Sequence, residues 1–209
     1  MNIIFDLDGT LIDSSERMYR LFQKLVPESG FSKEEYWKLK RNKINHRMIL
    51  ERYFPSYSFE EFNKEWLNRI EENEYLDLDS NYPDTIQTLL EMKKRGKNLI
   101  LLTARQSKEN LLREINRLEL IQFFSSILVT QAKSTKTTML KRSGVVRNPE
   151  KDLFVSDMGK DIVEGHEMGY RTVAISHGFM NKERLMEYQP TYIVESLKQL
   201  IEISDSLGD

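Results

Sequence analysis

The sequence contains no cysteine among its 209 residues. Disulfide bonds, thiolate metal sites and a cysteine nucleophile are therefore excluded from its chemistry. Long hydrophobic runs are also missing, because the longest apolar stretch, near residues 99–102, falls far short of the roughly 20 residues that a membrane-spanning helix needs. The first residues carry no basic leader of the kind that opens a signal peptide. Together these absences predict a cytoplasmic protein without a membrane partner.

Neither sign of charge is in excess. The chain has 31 basic and 33 acidic side chains, for a formal net charge of -2. A field of that size would recruit neither nucleic acid nor an anionic membrane surface. Histidine is scarce, and His46, His166 and His177 do not stand three or four residues apart, as two helical metal ligands would. These counts disfavour a nucleic-acid partner and a histidine metal site.

Hydrophobic patterning divides the chain into two kinds of segment. Residues 2–5 form a short apolar run typical of a buried strand, whereas residues 14–81 repeat apolar side chains three and four apart, which is helix periodicity. From residue 82 onward, short apolar runs alternate with amphipathic stretches. That alternation predicts an α/β fold, a Rossmann-like three-layer core with helices on both faces of a parallel sheet. The predicted organisation is a core of residues 1–13 and 82–209 with an inserted all-α domain of residues 14–81.

Two carboxylates follow the first apolar run. Asp6 and Asp8 are two residues apart, so in extended geometry their side chains point to the same side. Carboxylates held together repel each other and need a cation, a proton or hydrogen bonds. An EF-hand calcium loop does not fit, because its glycine stands sixth and Gly9 is fourth counted from Asp6. The pair is interpreted either as a solvated turn or as a nucleophile, a proton-transfer group and a hard-cation site.

Further polar side chains end the later strands. Asp157 follows an apolar run, and Asp161 stands four residues on, near the next helix start, where acidic residues are common. Thr103 closes another run and precedes Ala104. A hydroxyl and a free amide there could bind a phosphate oxygen, although threonine is also an ordinary strand residue. Because ligands bind beyond the carboxyl ends of parallel strands, these residues are expected to meet Asp6 at one edge of the sheet.

A lysine completes the expected set. Lys133 and Lys136 flank a short polar stretch before an amphipathic segment, and either could neutralise a phosphate and a neighbouring carboxylate. The spacing of Lys136 to the apolar residues that follow favours it slightly over Lys133.

These residues, in this order, resemble the motifs of the haloacid dehalogenase superfamily, in the branch of phosphoglycolate phosphatases and β-phosphoglucomutases whose helical cap follows the first motif. Four motifs are matched in chain order, by residues 6–11, residues 101–103, Lys133 or Lys136, and Asp157 with Asp161. Two departures are visible: Ser156 stands where the fourth motif has glycine, and no proline follows the lysine. The aspartate at position 8 points to phosphatase or phosphomutase chemistry within the superfamily.

The resemblance implies catalytic and metal-binding roles. Asp6 would attack phosphorus and form an aspartyl-phosphate, while Asp8 would protonate the leaving oxygen and then activate the hydrolytic water. A Mg²⁺ ion would be held by the Asp6 carboxylate, the Asp8 backbone carbonyl and Asp157. Asp161 would support that metal site.

The resemblance also implies a phosphate site and a cap. Thr103, Ala104 and Lys136, or Lys133 in its place, would bind the transferring phosphoryl group. Residues 14–81 would close over the site and select the substrate.

A basic cluster in the predicted cap includes Arg41 and Lys43. It is interpreted either as a solvated helix face or as a loop that reaches an anionic substrate.

The function predicted on this basis is a magnesium-dependent phosphatase for a small phosphorylated metabolite. The alternatives are a phosphomutase, which returns the phosphoryl group from Asp6 to another hydroxyl, a non-catalytic protein that binds a phosphorylated ligand, and a phosphatase for nucleotides or nucleic acid ends. The complete set of catalytic residues argues against the second alternative. The near-neutral charge argues against extended nucleic-acid binding in the third.

Overall fold

A computed structural model describes residues 1–131, 133–145 and 148–207. The strands in these residues are β1 (Asn2–Phe5), β2 (Ile12–Asp13), β3 (Ser80–Asn81), β4 (Asn98–Thr103), β5 (Ser126–Val129), β6 (Leu153–Ser156), β7 (Arg171–Ile175) and β8 (Tyr192–Val194). The α-helices are α1 (Ser15–Leu25), α2 (Lys33–Arg41), α3 (His46–Tyr53), α4 (Phe59–Arg69), α5 (Asn73–Leu76), α6 (Thr85–Lys94), α7 (Lys108–Arg117), α8 (Lys136–Ser143), α9 (Gly159–Glu167), α10 (Lys182–Met186) and α11 (Gln199–Ser206). Within the described ranges, no helix is long and apolar enough to cross a membrane.

The main sheet is parallel throughout and places three strand ends side by side. In the described part of the chain it has six strands in the order β5-β4-β1-β6-β7-β8. Strand β1 lies between β4 and β6, so the carboxyl ends of these three strands are neighbours. Asp6 follows β1, Thr103 ends β4 and Asp157 follows β6. The topology therefore gathers the predicted site residues at one edge.

Helices cover both faces of this sheet because its side chains alternate. Ile3 and Phe5 of β1 belong to the apolar cluster that includes residues of α6, α7 and α11, whereas Ile4 packs into the cluster that includes Leu140 of α8. Ile162 of α9 packs against β7 in a third cluster. The prediction of an α/β fold with a three-layer parallel-sheet core is thus confirmed.

Helices α1 to α5 pack around a separate, aromatic-rich cluster. The rings of Phe22 and Tyr36, both fully buried, stack with 4.9 Å between their centroids. Ser32 and Glu35 form a capping box at the start of α2, which satisfies two backbone amides that a helix end leaves unpaired. The short antiparallel pair of β2 and β3 joins the two ends of this helical insertion.

Three elements were not predicted from the sequence. Strands β2 and β3 have two residues each, too few to show any hydrophobic period. Helix α10 has five residues and one buried side chain, Leu185, so its sequence shows no apolar helix face. Strands β1, β4 and β6 lie at the apolar runs that the sequence predicted as strands.

Candidate active site

The first carboxylate lies where the central strand runs into a tight turn. Asp6 follows β1, its amide donates to the carbonyl of Val155 at 3.0 Å, and its side chain is buried. Gly9 in the turn has a φ of 76°, and a Cβ at this position would collide with the carboxylate of Asp157. The turn therefore requires glycine. It brings the carboxylates that follow β1 and β6 close together.

Lys136 bridges two of the predicted carboxylates. Its Nζ atom lies 2.7 Å from Oδ1 of Asp6 and 2.6 Å from Oδ2 of Asp161, and all three side chains are buried. Burial raises the pKa of Asp6 to about 7, although Lys136 acts in the opposite direction. Burial alone would lower the pKa of Lys136, but the two carboxylates outweigh it and hold that pKa above its usual range. One cation is thus shared by two buried anions.

Ser156, the residue that departs from the expected fourth motif, holds Asp161 in this arrangement. Its hydroxyl donates to Oδ2 of Asp161 at 2.7 Å and accepts a hydrogen bond from the amide of Met158 at 3.1 Å. Glycine at this position could not orient the carboxylate in this way.

Asp157 is fully buried beside the turn. Its Oδ1 accepts a hydrogen bond from the hydroxyl of Thr10 at 3.1 Å, and its Oδ2 accepts one from the amide of Phe179 at 2.6 Å. Burial, followed by repulsion from Asp6, raises the pKa of Asp157 well above its usual range. Asp6 and Asp157 therefore bring two negative charges close together, and a bound cation would stabilise them.

A cavity of about 530 Å³ is lined by Asp6, Asp8 and Asp161, whereas Asp157 lies outside the lining. Thr103 and Ala104, the predicted phosphate ligands, line it together with Asp6 and Lys136. The side chain of Lys133 is exposed and is not part of the lining. Of the two candidate lysines, the structure brings Lys136 into contact with Asp6.

Asp8 is held by two arginines. Nε of Arg105 donates to Oδ2 of Asp8 at 2.7 Å and Nη2 donates to Oδ1 at 2.9 Å, while Arg17 also donates to Oδ1. Burial alone would raise the pKa of Asp8, but the two guanidinium groups outweigh it and hold that pKa well below its usual range. A carboxylate held in this way is ionised, so it can carry a proton only after it turns away from the arginines.

Two further carboxyl groups are buried around the same arginines. Oδ2 of Asp79 lies 3.2 Å from Nε of Arg17 and 3.5 Å from Nη2 of Arg105. Oε2 of Glu114, on α7, lies 2.9 Å from Nη2 of Arg105. Burial raises the pKa of Asp79 to about 9, against the effect of Arg17 and with a further rise from Glu114. This shift favours the protonated form of Asp79 at neutral pH.

Replacing Asp79 with asparagine should stabilise the protein increasingly as the pH rises. Unfolded Asp79 loses its proton near its ordinary pKa of 3.8, whereas folded Asp79 keeps it up to about 9. Between these values the folded state binds more protons, so the free energy of unfolding falls with pH, by up to about 1.4 kcal/mol per unit. Asparagine has no such proton, and urea denaturation at acidic, neutral and mildly alkaline pH should show the widening difference.

The matched control is Asp77→Asn, because the Asp77 side chain is 52% exposed. This control should follow the pH dependence of the unmodified protein. A stability difference for Asp79→Asn that does not change with pH would contradict the assignment of a buried proton.

Arg41 and Lys43 contact the core and do not line the cavity. Nη2 of Arg41 donates to the carbonyl of Ser176 at 2.5 Å, and the amide of Asn181 donates to the carbonyl of Arg41 at 3.2 Å. Nζ of Lys43 lies 2.7 Å from Oε2 of Glu187. These contacts fasten the segment after α2 to the core, and the structure does not bring the two residues to the other predicted site residues.

Sequence reasoning did not single out the residues that surround Asp8. Arg17 lies in the charged pattern of α1, where nothing distinguishes it from solvated side chains. Arg105 follows Thr103 and Ala104, but nothing in the sequence indicates that it contacts Asp8. His177, which the sequence indicated only by its lack of metal-ligand spacing, places Nε2 3.0 Å from the carbonyl of Thr10 and so supports the turn.

The oxygen donors at the turn fit magnesium. Asp6 and Asp157 are buried carboxylates, and the negative charge of Asp6 contributes to the raised pKa of Asp157. Within the described residues, no three His, Cys, Asp or Glu side chains are grouped so as to hold an ion by themselves. Magnesium suits such a sparse set, because it keeps several waters and binds through one or two carboxylates plus a substrate phosphate. The backbone carbonyl of Asp8 would add a third oxygen of the hard type that the ion prefers.

Known proteins match the chain over nearly its whole length. The family profile described as haloacid dehalogenase-like hydrolase matches residues 3–175. Phosphoglycolate phosphatase 1 from Pseudomonas aeruginosa is 24% identical over 99% of this chain and 80% of its own length. Pyrophosphatase PpaX from Oceanobacillus iheyensis is 28% identical over 96% of this chain and 95% of its own length. A haloacid dehalogenase-like hydrolase from Streptococcus pneumoniae shares the fold, with a TM-score of 0.79 and 22% identity over 97% of each chain.

Proposed function

Because the chain belongs to the haloacid dehalogenase-like hydrolases, we propose that it is a magnesium-dependent phosphatase that cleaves a small phosphomonoester through an aspartyl-phosphate on Asp6. The observation that supports this most directly is the contact of buried Asp6 with Lys136 in a cavity that Thr103 also lines. A nucleophile, a cation for the phosphate charge and a hydroxyl donor are thereby within reach of one bound phosphoryl group. Relatives named as a phosphatase and a pyrophosphatase support the same reaction class.

In the first step an oxygen of Asp6 attacks phosphorus, and the bond between phosphorus and the leaving oxygen breaks. Asp8, once protonated, gives its proton to that oxygen. Lys136 and Thr103 hold the equatorial oxygens and offset their charge, while Asp161 keeps Lys136 in position. The product of this step is an aspartyl-phosphate and a free alcohol.

In the second step a water molecule gives a proton to Asp8 as its oxygen attacks the same phosphorus. The bond from phosphorus to Asp6 breaks, inorganic phosphate leaves, and the carboxylate is restored. When bound by Asp6, Asp157 and the Asp8 carbonyl, Mg²⁺ would neutralise charge that otherwise keeps the carboxylate and the phosphate apart.

The inserted helices, residues 14–81, would serve as the cap over this reaction. Leu67 and Ile70 line the cavity from this side. Glu71 accepts hydrogen bonds from the amides of Gln106 at 2.7 Å and Ser107 at 2.8 Å, at the start of α7. Such contacts favour a closed cap that limits access of water. A cap that excludes water throughout would turn the same residues into a phosphomutase.

Removing magnesium should stop phosphate release and lower the melting temperature. Chelation leaves the buried Asp157 close to the negative charge of Asp6 with no metal ion between them. Adding Mg²⁺ should stabilise the folded state by about 2.7 kcal/mol when the ion is present at about 100 times its Kd. Thermal denaturation with and without Mg²⁺, beside phosphate release from a panel of sugar, nucleotide and small-acid phosphates, measures both effects. Asp157→Asn should remove most of the magnesium-induced shift, whereas the surface change Asp205→Asn should retain it.

Each alternative has its own signature in the same assay. Phosphate release that continues undiminished in chelator would overturn the magnesium requirement. Isomerisation of a sugar phosphate without release of phosphate would identify a phosphomutase. Binding of phosphorylated compounds with no turnover of any of them would favour a non-catalytic protein.

A further inference from the structure

One loop of the core lies between the inserted helices and the buried carboxylate of Asp157. Residues 176–181 connect β7 to α10, and they bring the backbone amide of Phe179 within 2.6 Å of Oδ2 of Asp157. Gly178 in this loop passes close to the turn after β1. A Cβ at this position would overlap the carbonyl oxygen of Gly9 and Oδ2 of Asp157. The backbone of the loop therefore packs directly against the carboxylate.

The same loop also supports the second hydrogen-bond donor of Asp157. Oδ1 of Asp157 accepts a hydrogen bond from the hydroxyl of Thr10 at 3.1 Å. The carbonyl oxygen of this threonine lies 3.0 Å from Nε2 of His177. Phe179 thus supplies one donor to the carboxylate, and His177 contacts the residue that supplies the other. A shift of residues 176–181 would therefore change how Asp157 is oriented.

Helix α2 of the cap holds the loop by three contacts. Nη2 of Arg41 donates to the carbonyl of Ser176 at 2.5 Å, and the amide of Asn181 donates to the carbonyl of Arg41 at 3.2 Å. The ring of Trp37 packs edge-on against the ring of Phe179, with 5.2 Å between the ring centroids. These contacts involve the first, fourth and last residues of the loop, so the docked cap holds the loop along its length.

We propose that docking of α2 on residues 176–181 raises the affinity of the protein for Mg²⁺, with Trp37 and Arg41 as positioning residues for the proposed metal ligand Asp157. This inference rests on the magnesium-dependent phosphatase function proposed above. Neither Trp37 nor Arg41 lines the catalytic cavity, so both act through the loop. Hydrogen-bond partners of a metal ligand orient that ligand, and their loss typically weakens metal binding by about 10–100-fold.

The coupling between the cap and the ion acts in both directions. If the docked cap raises the affinity for Mg²⁺, bound Mg²⁺ must favour the docked cap by the same factor, because linked binding equilibria are reciprocal. The ion therefore orders the end of α2, although Asp6, Asp157 and the Asp8 carbonyl, which would hold it, all belong to the core. A purely structural role for Trp37 and Arg41 predicts neither effect.

The Kd of Mg²⁺, measured without substrate, tests the first direction. The melting temperature as a function of Mg²⁺ concentration gives this Kd for the unmodified protein, Trp37→Leu and Arg41→Met. Each substitution removes a contact with the loop and should raise the Kd at least about 5-fold, the lower end of the usual coupling between two sites. The matched control is Arg47→Met, which removes an arginine that pairs with Glu51 and Glu60 inside the cap. It should keep the Kd of the unmodified protein.

Hydrogen exchange tests the reverse direction in the unmodified protein, without any substitution. Adding Mg²⁺ should slow the exchange of backbone amides in residues 176–181 and also in residues 41–45, at the end of α2. Mass spectrometry of peptides that cover the two segments measures both effects. In Asp157→Asn, which lacks the proposed metal ligand, Mg²⁺ should no longer slow exchange in residues 41–45.

An unchanged Kd in Trp37→Leu and Arg41→Met would overturn the inference, even if both variants melt at lower temperature in chelator. Slower exchange in residues 176–181 without any change in residues 41–45 would overturn it as well. Phosphate release that depends on Mg²⁺ would leave the phosphatase function intact in both cases. If neither variant unfolds cooperatively, hydrogen exchange of the unmodified protein decides. No effect of Mg²⁺ on melting, exchange or phosphate release would overturn the magnesium requirement and this inference together.

Discussion

The Asp6→Asn variant will release no measurable phosphate from the compounds that the unmodified protein hydrolyses. An amide cannot attack phosphorus, and removing a nucleophile that acts as one unit with its partners costs at least about 10⁴-fold in kcat. Lys136 keeps its contact with Asp161 in the variant, so the fold should persist. Steady-state phosphate release measures the loss. Intact mass spectrometry after rapid mixing with substrate should show one added phosphoryl group on the unmodified protein and none on the variant.

The control for this experiment is Asp205→Asn, the same chemical change on α11 at the surface, where Asp205 pairs with Arg95 and Lys97. It should leave kcat and KM unchanged. Normal turnover by Asp6→Asn, or a phosphoryl group mapped to another residue, would remove Asp6 from the nucleophile role.

The Lys136→Met variant will lose both stability and activity. The substitution leaves Asp6 and Asp161 buried without the cation that now lies within hydrogen-bond distance of both. Breaking a buried ion pair on one side costs about 3–5 kcal/mol, so the free energy of unfolding should fall by that amount in chelator. If Lys136 binds the transferring phosphoryl group as proposed, losing this cation should also lower kcat by about 10²–10³-fold. Urea denaturation and phosphate release measure the two effects separately.

Lys133→Met is the matched comparison, because it removes the same charge three positions earlier from an exposed side chain. Its free energy of unfolding should stay within about 0.5 kcal/mol of the unmodified protein, with normal turnover. The reverse result, a severe loss for Lys133→Met and none for Lys136→Met, would assign the phosphate site to Lys133.

Much of the fold could be predicted because its signals are local. Strand β4 reads as a continuous apolar run, as expected for a strand covered on both faces, and α8 ends at Gly144 with a φ of 63°. The strands β2 and β3 were missed because two residues are too few to show the alternation of a strand, and helix α10 was missed because its five residues include only one buried side chain.

Local patterns also explain which parts of the candidate site could be predicted from the sequence. Asp6, Thr103 and Asp157 were recognised because each stands at the end of an apolar run, and parallel strands bring such ends together. Ser156 was noted as a departure from the motif. In the structure, the Ser156 hydroxyl donates a hydrogen bond to Asp161 and orients that carboxylate.

Three features could be predicted from the sequence alone: the alternation of strands and helices, the helical insertion after the first strand, and the carboxylates that follow β1 and β6. Each of these features is indicated by apolar or acidic residues that recur at spacings of two to four residues. Tertiary structure alone decided that Lys136 pairs with Asp6 and that Arg105 reaches Asp8 across 97 positions of the chain. The tertiary structure also places Arg41 so that it donates a hydrogen bond to the carbonyl of Ser176, 135 positions away. The physical reason is that contacts between distant residues depend on how strands and helices pack, and such packing leaves no periodic trace in the sequence.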